Sequence, residues 1–269
     1  MRKIPSSLPS QGASAAGHDR NHVASLAKGL EVLCAFGRAR SRLTVSEVAA
    51  LTGATPASAR RSLLTLHALG YLASDGKHYW MLPRALLIAH AYLSSRATPS
   101  LAQPLLDGLS ERTRQSASLG KLLDNDVIII ARSTARRSLS TGLGIGSRLP
   151  AYCSALGRVL LASLPPAEAR RRVQAMQVAR LTPRTETDPA RLLDAVAACR
   201  ERGHATSDEE LETGVRSMAV PVFTHDGRTV AGLSISVRAE RMGLEAFRET
   251  MLPILLRAQA QLARQLYQD

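Results

Sequence analysis

The stretch Leu43-Thr-Val-Ser-Glu-Val-Ala-Ala-Leu-Thr-Gly53 is followed, after the single residue Ala54, by Thr55-Pro-Ala-Ser-Ala-Arg-Arg-Ser-Leu-Leu-Thr-Leu-His-Ala-Leu-Gly70. It reads as two helices meeting through a tight turn. Thr44-Val-Ser-Glu47 has the spacing of a capping box, in which the Thr44 hydroxyl accepts from the Glu47 N–H and the Glu47 carboxylate returns to the Thr44 N–H. The first helix is therefore expected from Val45, with Val45, Val48 and Ala49 as its apolar stripe and Gly53 at the left-handed position that ends it. Thr55 then supplies a cap and Pro56 a pre-set first helical residue.

On a helical wheel the second helix turns Ala59, Ser62, Leu63 and Leu66 inward. Ala57, Ser58, Arg61 and Thr65 face outward with Arg60 on the flank, and Leu64 points outward among them. Small side chains near a helix start permit close approach to a groove, free N–H groups meet phosphate, and arginine reaches guanine edges. Upstream, Leu26, Leu30, Leu33 and Phe36 recur at helical spacing, so a helix is expected over 26–36 with Ser25 as its cap. Downstream, two apolar runs, 71–73 and 78–82, flank Ser74-Asp-Gly-Lys77, a hairpin signal with Lys77 at the tip. Three helices and a basic-tipped hairpin make a winged helix-turn-helix. The expected contacts to double-stranded DNA are Thr44, Thr55, Ala57, Ser58, Arg60, Arg61, Thr65 and Lys77.

Composition agrees with a polyanionic partner. The 269 residues carry 35 Lys+Arg against 22 Asp+Glu, a formal charge of +13. Residues 1–96 hold 12 basic and 4 acidic residues, so the smaller part of the chain has most of the excess. Three dispersed cysteines, Cys34, Cys153 and Cys199, form neither a disulfide framework nor a zinc half-site, which points to a reducing cytoplasm. Met1-Arg-Lys3 is followed by no apolar signal segment, and the run 85–93 is too short to span a bilayer, so no membrane association is expected. The expected organisation is a flexible tail over 1–20, the winged helix over 21–82, a linker helix over 83–99 and a second domain over 100–269.

In that second domain, 117–123 and 127–132 read as strands around Asp124-Asn-Asp126, and 218–223 and 230–237 flank His225-Asp-Gly-Arg228. Helices are expected at 101–114, 156–164, 189–202 with Asp188 as cap, and 244–267, which gives an α+β layer with an antiparallel sheet. The run Gly142-x-Gly144-x-Gly146 lacks the helix and third glycine of a dinucleotide loop and reads as a structural or pocket-lining loop. Ser154 is placed to cap a helix from Ala155, whose N-terminus suits a carboxylate, with Arg136, Arg137 and Arg148 as nearby partners. Ser234 and Ser236 share one strand face, turned either to a ligand or to solvent. A hydrolase pairing Cys153 with His204, and a basic module binding an acidic protein, are the competing functions. No metal site or cofactor is expected.

Ser25-Leu-Ala-Lys-Gly-Leu-Glu-Val-Leu33, the 43–53 stretch, Arg148-Leu-Pro-Ala-Tyr-Cys-Ser-Ala-Leu-Gly-Arg-Val-Leu-Leu-Ala162 and Asp208-Glu-Glu-Leu-Glu-Thr-Gly-Val-Arg216 together resemble the IclR family of bacterial transcriptional regulators. The resemblance runs from Ser25 to Tyr267. The segments 146–150 and 154–161 look most like the subgroup controlling protocatechuate, 4-hydroxybenzoate and β-ketoadipate catabolism. The resemblance implies a winged helix joined by a linker helix to a GAF-like α/β effector domain, a homodimer or homotetramer, an operator, and a small aromatic carboxylic acid as effector. The pocket positions it implies are Leu149, Ala155, Leu156, Ser207, Val215, Ser217, Ser234 and Ser236. Two of them depart from the family's pattern: Ala155 stands where many relatives have glycine, and Ser207 where an acidic residue is common.

Overall fold

The computed structural model describes residues 21–37, 40–134 and 142–266. The expected tail over 1–20 and the arginines 136 and 137 lie outside the described residues. The chain divides into two compact units, residues 1–92 and 93–269.

In the first unit, α1 (Ala24–Cys34) precedes β1 (Leu43–Thr44), α2 (Val45–Thr52), α3 (Pro56–Ala68) and the strands β2 (Leu72–Ser74) and β3 (His78–Met81). The capping box of α2 is complete, and Gly53 closes the helix at φ 66°. Thr55 caps α3 through the Ser58 N–H, with Pro56 in the first turn. Tyr71 N–H donates to the Leu66 carbonyl across Gly70, so the chain leaves α3 directly into the hairpin. The wing gains a third strand, because β1 pairs with β3 to give the order β1-β3-β2. At its tip Asp75 accepts from the N–H groups of His78 and Lys77, which holds its carboxyl at about 2. Arg42 stacks on Trp80, 4.3 Å from the ring centre.

The first helix differs from its expectation. It starts earlier and has no side-chain cap, since the Val23 carbonyl takes the N–H groups of Leu26 and Ala27 and Ser25 is already inside the helix. Val32 is its buried residue, whereas Leu26 and Leu30 are 63% and 50% exposed. Periodicity located an apolar stripe, but the core of this unit takes its neighbouring face. A 3₁₀ turn (Pro83–Ala85) and α4 (Leu86–Ser94) follow, and α4 exposes Leu86, Leu87, Ile88 and Tyr92.

The second unit is built on a six-stranded antiparallel sheet. It comprises α5 (Ala97–Thr113), β4 (Ser116–Leu123), β5 (Asp126–Ser133), β6 (Arg148–Pro150), α6 (Ala155–Ala162), α7 (Pro166–Ala175), α8 (Pro189–Arg202), β7 (Ala205–Asp208), β8 (Val215–Phe223), β9 (Thr229–Arg238) and α9 (Leu244–Leu266). The strand order is β6-β5-β4-β9-β8-β7. One core joins α5 and α9 to the sheet through Leu106, Leu109, Leu119, Leu233, Phe247 and Leu255. The other joins α6, α7 and α8 to it through Val127, Ile129, Leu156, Val159, Val173 and Val196. The fold is thus α+β, with helices on both faces of an antiparallel sheet. Helix α5 begins four residues before the expected Leu101, and the short strand β6 was not anticipated, because Arg-Leu-Pro carries too few residues for a strand signal. Among the described residues no helix is long and apolar enough to cross a membrane.

Candidate functional site

Two places in the chain carry chemistry, one in each unit. In the first, α3 presents Thr55, Ala57, Arg60, Arg61, Leu64 and Thr65 to solvent, while Ala59, Leu63 and Leu66 pack inward. Ser58 is 9% accessible and does not belong to the open face. Its position, about 100° round the helix from Ala57, turns it to the body of the unit. Thr65 returns its hydroxyl to the Arg61 carbonyl at 2.9 Å, so it is exposed with its proton already placed. The Thr44 hydroxyl is engaged with Glu47 as both acceptor and donor, and serves the cap of α2. Lys77 stands exposed at the wing tip.

In the second unit a pocket opens between the sheet and the N-terminus of α6. Its floor is set by strand register. Ser116, Ser236, Ser217 and Ser207 stand opposite one another across β4, β9, β8 and β7. In the adjoining row Arg132, Ser118 and Ser234 are partnered across β5, β4 and β9. Antiparallel partners share a face, so both rows point toward α6. Arg132, Ser118, Ser207, Ser217, Ser234 and Ser236 all line the pocket.

The roof is α6. Ser154 caps it by accepting from the Gly157 N–H at 3.1 Å, and Ser154, Ala155 and Leu156 line the cavity. The positive end of α6 therefore lies at the pocket, where it favours an anion. Leu143, from the glycine loop, together with Leu149 and Ile129, supplies an apolar wall. The segment between β7 and β8 supplies the last wall with Leu211, Glu212 and Val215.

Arg132 donates to Ser118 Oγ at 2.6 Å, and burial lowers its pKa. Desolvation of a guanidinium makes an incoming carboxylate a favourable partner. Ser207 donates to the Cys153 carbonyl at 2.7 Å and Ser234 to the Ser118 carbonyl at 3.4 Å. Their oxygens remain able to accept.

Family models match both parts of the chain: "IclR helix-turn-helix domain" over residues 25–76 and "Bacterial transcriptional regulator IclR C-terminal" over residues 90–264. The chain belongs to the IclR family. It is similar to a Pca regulon regulatory protein of Pseudomonas putida, 38% identical over 96% of this chain and 89% of that one. Among solved structures, a transcriptional regulator from Rhodococcus sp. RHA1 is 41% identical over 91% of this chain and 98% of that one, with a TM-score of 0.77. The inducer-binding domain of the PobR transcription factor from Acinetobacter, a double mutant in complex with 3-hydroxybenzoic acid, is 31% identical over 61% of this chain and 97% of that one, with a TM-score of 0.58.

This IclR-family chain is thus a DNA-binding transcriptional regulator with a separate effector-type domain. The eight pocket positions implied by resemblance, Leu149, Ala155, Leu156, Ser207, Val215, Ser217, Ser234 and Ser236, converge on one cavity together with Ser154. Ser234 faces the cavity rather than bulk solvent and is buried. Arg148 does not join them: its guanidinium pairs with Asp126 at 2.5 Å across the β5–β6 ladder and does not line the pocket. Arg137 and Arg136 lie outside the described residues.

Arg132 and Ser118 were missed by sequence reasoning. The signal existed in Ser116-x-Ser118 and Ser234-x-Ser236, two polar pairs at strand spacing. Only the register shows that they meet and that Arg132 joins them.

Cys153 has no nucleophilic setting. It is fully buried, and burial pushes its thiol up to about 12, which disfavours the nucleophilic thiolate. His204 Nδ1 instead contacts the Arg202 carbonyl at 3.1 Å.

Proposed function

We propose that this regulator takes a hydroxylated aromatic monocarboxylate between Arg132 and the N-terminus of α6, and that this ligand changes its affinity for an operator. The observation that carries the reading is the half-buried Arg132 guanidinium set beside a floor of serine hydroxyls. A carboxylate suits the cation and the helix end, an aromatic ring suits Leu149, Leu156 and Ile129, and ring hydroxyls suit the serines. The similarity to a Pca regulon protein and to a domain solved with 3-hydroxybenzoic acid supports the same class.

Calorimetric titration with 3-hydroxybenzoate, 4-hydroxybenzoate and protocatechuate tests it. At least one is expected to bind, and Arg132→Gln is expected to weaken that ligand about 10- to 150-fold, the worth of a hydrogen bond to a charged group. Equal affinity in the variant would remove Arg132 from the site.

On the DNA side, we assign base contacts to α3, through Ala57, Arg60 and Arg61, and backbone contacts to Lys77 on the wing. Arg61→Ala is expected to lose about 1–3 kcal/mol with altered base preference, and Lys77→Ala to weaken all sequences alike and flatten the salt dependence. A band-shift series on the gene's upstream region separates the two, and unchanged binding by Arg61→Ala would take α3 out of the groove.

The segment 83–99 is assigned as the link between the two domains. The exposed Leu86, Leu87, Ile88 and Tyr92, with Leu26 and Leu30, support self-association as a homodimer or homotetramer. The effector then acts by binding one arrangement of the subunits better than another. In this reading the protein works in the cytoplasm, on DNA, without catalysing a reaction.

A further inference from the structure

Leu64 interrupts the cationic face of α3. At 100° per residue it falls about 20° from Ala57, on the midline of the exposed face, and Arg60 and Arg61, one turn earlier, flank that line on either side. The neighbouring Leu63 is fully buried and Leu66 is 8% accessible, whereas Leu64 is 42% exposed. Two arginines beside it disfavour an apolar protein patch as its partner and favour a polyanion. In the floor of the major groove one apolar group is available, the C5-methyl of thymine.

We infer that Leu64 packs on a thymine methyl and specifies thymine at one position of each operator half-site. The guanidinium groups of Arg60 and Arg61 reach the base edges beside it, and the small side chain of Ala57, about 10 Å along the axis, lets the helix sit deep enough for that contact. This rests on the assignment of α3 to the groove made above.

The test uses the full chain and the footprinted upstream operator, with each thymine replaced in turn by deoxyuridine, which deletes the methyl and leaves every hydrogen-bonding group. At one half-site position the replacement is expected to weaken the wild type about 3- to 10-fold. Leu64→Ala is expected to weaken the thymine operator by a similar factor and to be indifferent to deoxyuridine at that position. The side chain is exposed, so an unchanged melting temperature is expected and shows that the variant is folded. The inference is overturned if Leu64→Ala keeps the wild-type affinity and deoxyuridine profile, or if it weakens thymine and deoxyuridine operators equally, as the loss of a protein contact does. Arg61→Ala serves as the control. Unchanged binding there removes the groove assignment itself, whereas weakened binding by Arg61→Ala with a negative result at Leu64 removes the thymine contact alone.

Discussion

Arg158→Met is expected to lower the stability of the effector domain by about 3–5 kcal/mol, the cost of leaving a buried partner charge unpaired. The guanidinium meets Glu210 through two bonds, Nη1 to Oε1 at 2.6 Å and Nη2 to Oε2 at 2.5 Å, and also donates to the Thr206 carbonyl at 3.3 Å. The side chains are 9% and 13% exposed, so little solvent screens the pair. In a domain of this size the loss corresponds to a fall in melting temperature of about 6–20 °C, read by calorimetry. Arg158→Met combined with Glu210→Leu is expected to recover most of it, because an apolar pair of similar volume leaves no charge behind. A single variant melting with the wild type would show that the pair holds nothing.

The same pair has a functional side. Arg158 stands one turn beyond Ser154 on α6, and Glu210 begins the segment whose Leu211, Glu212 and Val215 wall the pocket. The roof and this wall are therefore tied together. Two further ties hold the segment from behind, where the hydroxyls of Thr182 and Thr185 donate to the Glu209 and Glu210 carbonyls, each at 2.7 Å. Gly214 N–H returns to Glu209 Oε2 at 2.9 Å, closing the turn. A wall so anchored presents a preformed cavity, and an unanchored one spends binding energy on ordering it. The single Arg158 variant is expected to bind aromatic acids less tightly even at temperatures where it remains folded.

The winged helix was legible because its signals are local. A capping box, a left-handed glycine, a Thr-Pro restart and an Asp-Gly turn each act within four residues, and each was found where the sequence placed it. Burial was less legible. Leu26 and Leu30 have the spacing of a core stripe yet are exposed, since periodicity reveals that a face is apolar and not what covers it. Ser58 failed for a related reason: a wheel gives direction, and the packing of α3 decides how wide the open sector is. The residues that line the cavity beside α6 were legible through resemblance at eight positions, but Arg132 among them was not. Arg132, Ser118 and Ser234 lie far apart in the chain and meet only through strand register. Arg148, close to Ser154 in sequence, was drawn away by Asp126 on the neighbouring strand.

Gly157→Ala tests how closely α6 is seated. Helix propensity alone favours alanine over glycine by about 1 kcal/mol, so an unconstrained helix would be stabilised. Here a Cβ would stand 2.2 Å from both Cα and the carbonyl oxygen of Ala151, which are backbone atoms that cannot rotate aside. The contact decides the sign, and the expected cost is about 3 kcal/mol or more, at the upper end for overpacking. Gly108, in α5, is the matched control: nothing lies within 4 Å of its Cβ position, and alanine there is expected to be neutral or mildly stabilising. The substitution at 157 also pushes α6 away from the strand that precedes it. Ser154 caps the helix through the Gly157 N–H itself, so the displacement reaches the residues that line the pocket. Loss of aromatic-acid binding together with a melting temperature lowered by at least about 6 °C is the expected pair of results. A Gly157→Ala protein that melts at or above the wild type, with ligand affinity intact, would mean that α6 rides more loosely on Ala151 than this packing allows, and that the anion-favouring helix end is not fixed by the sheet below it.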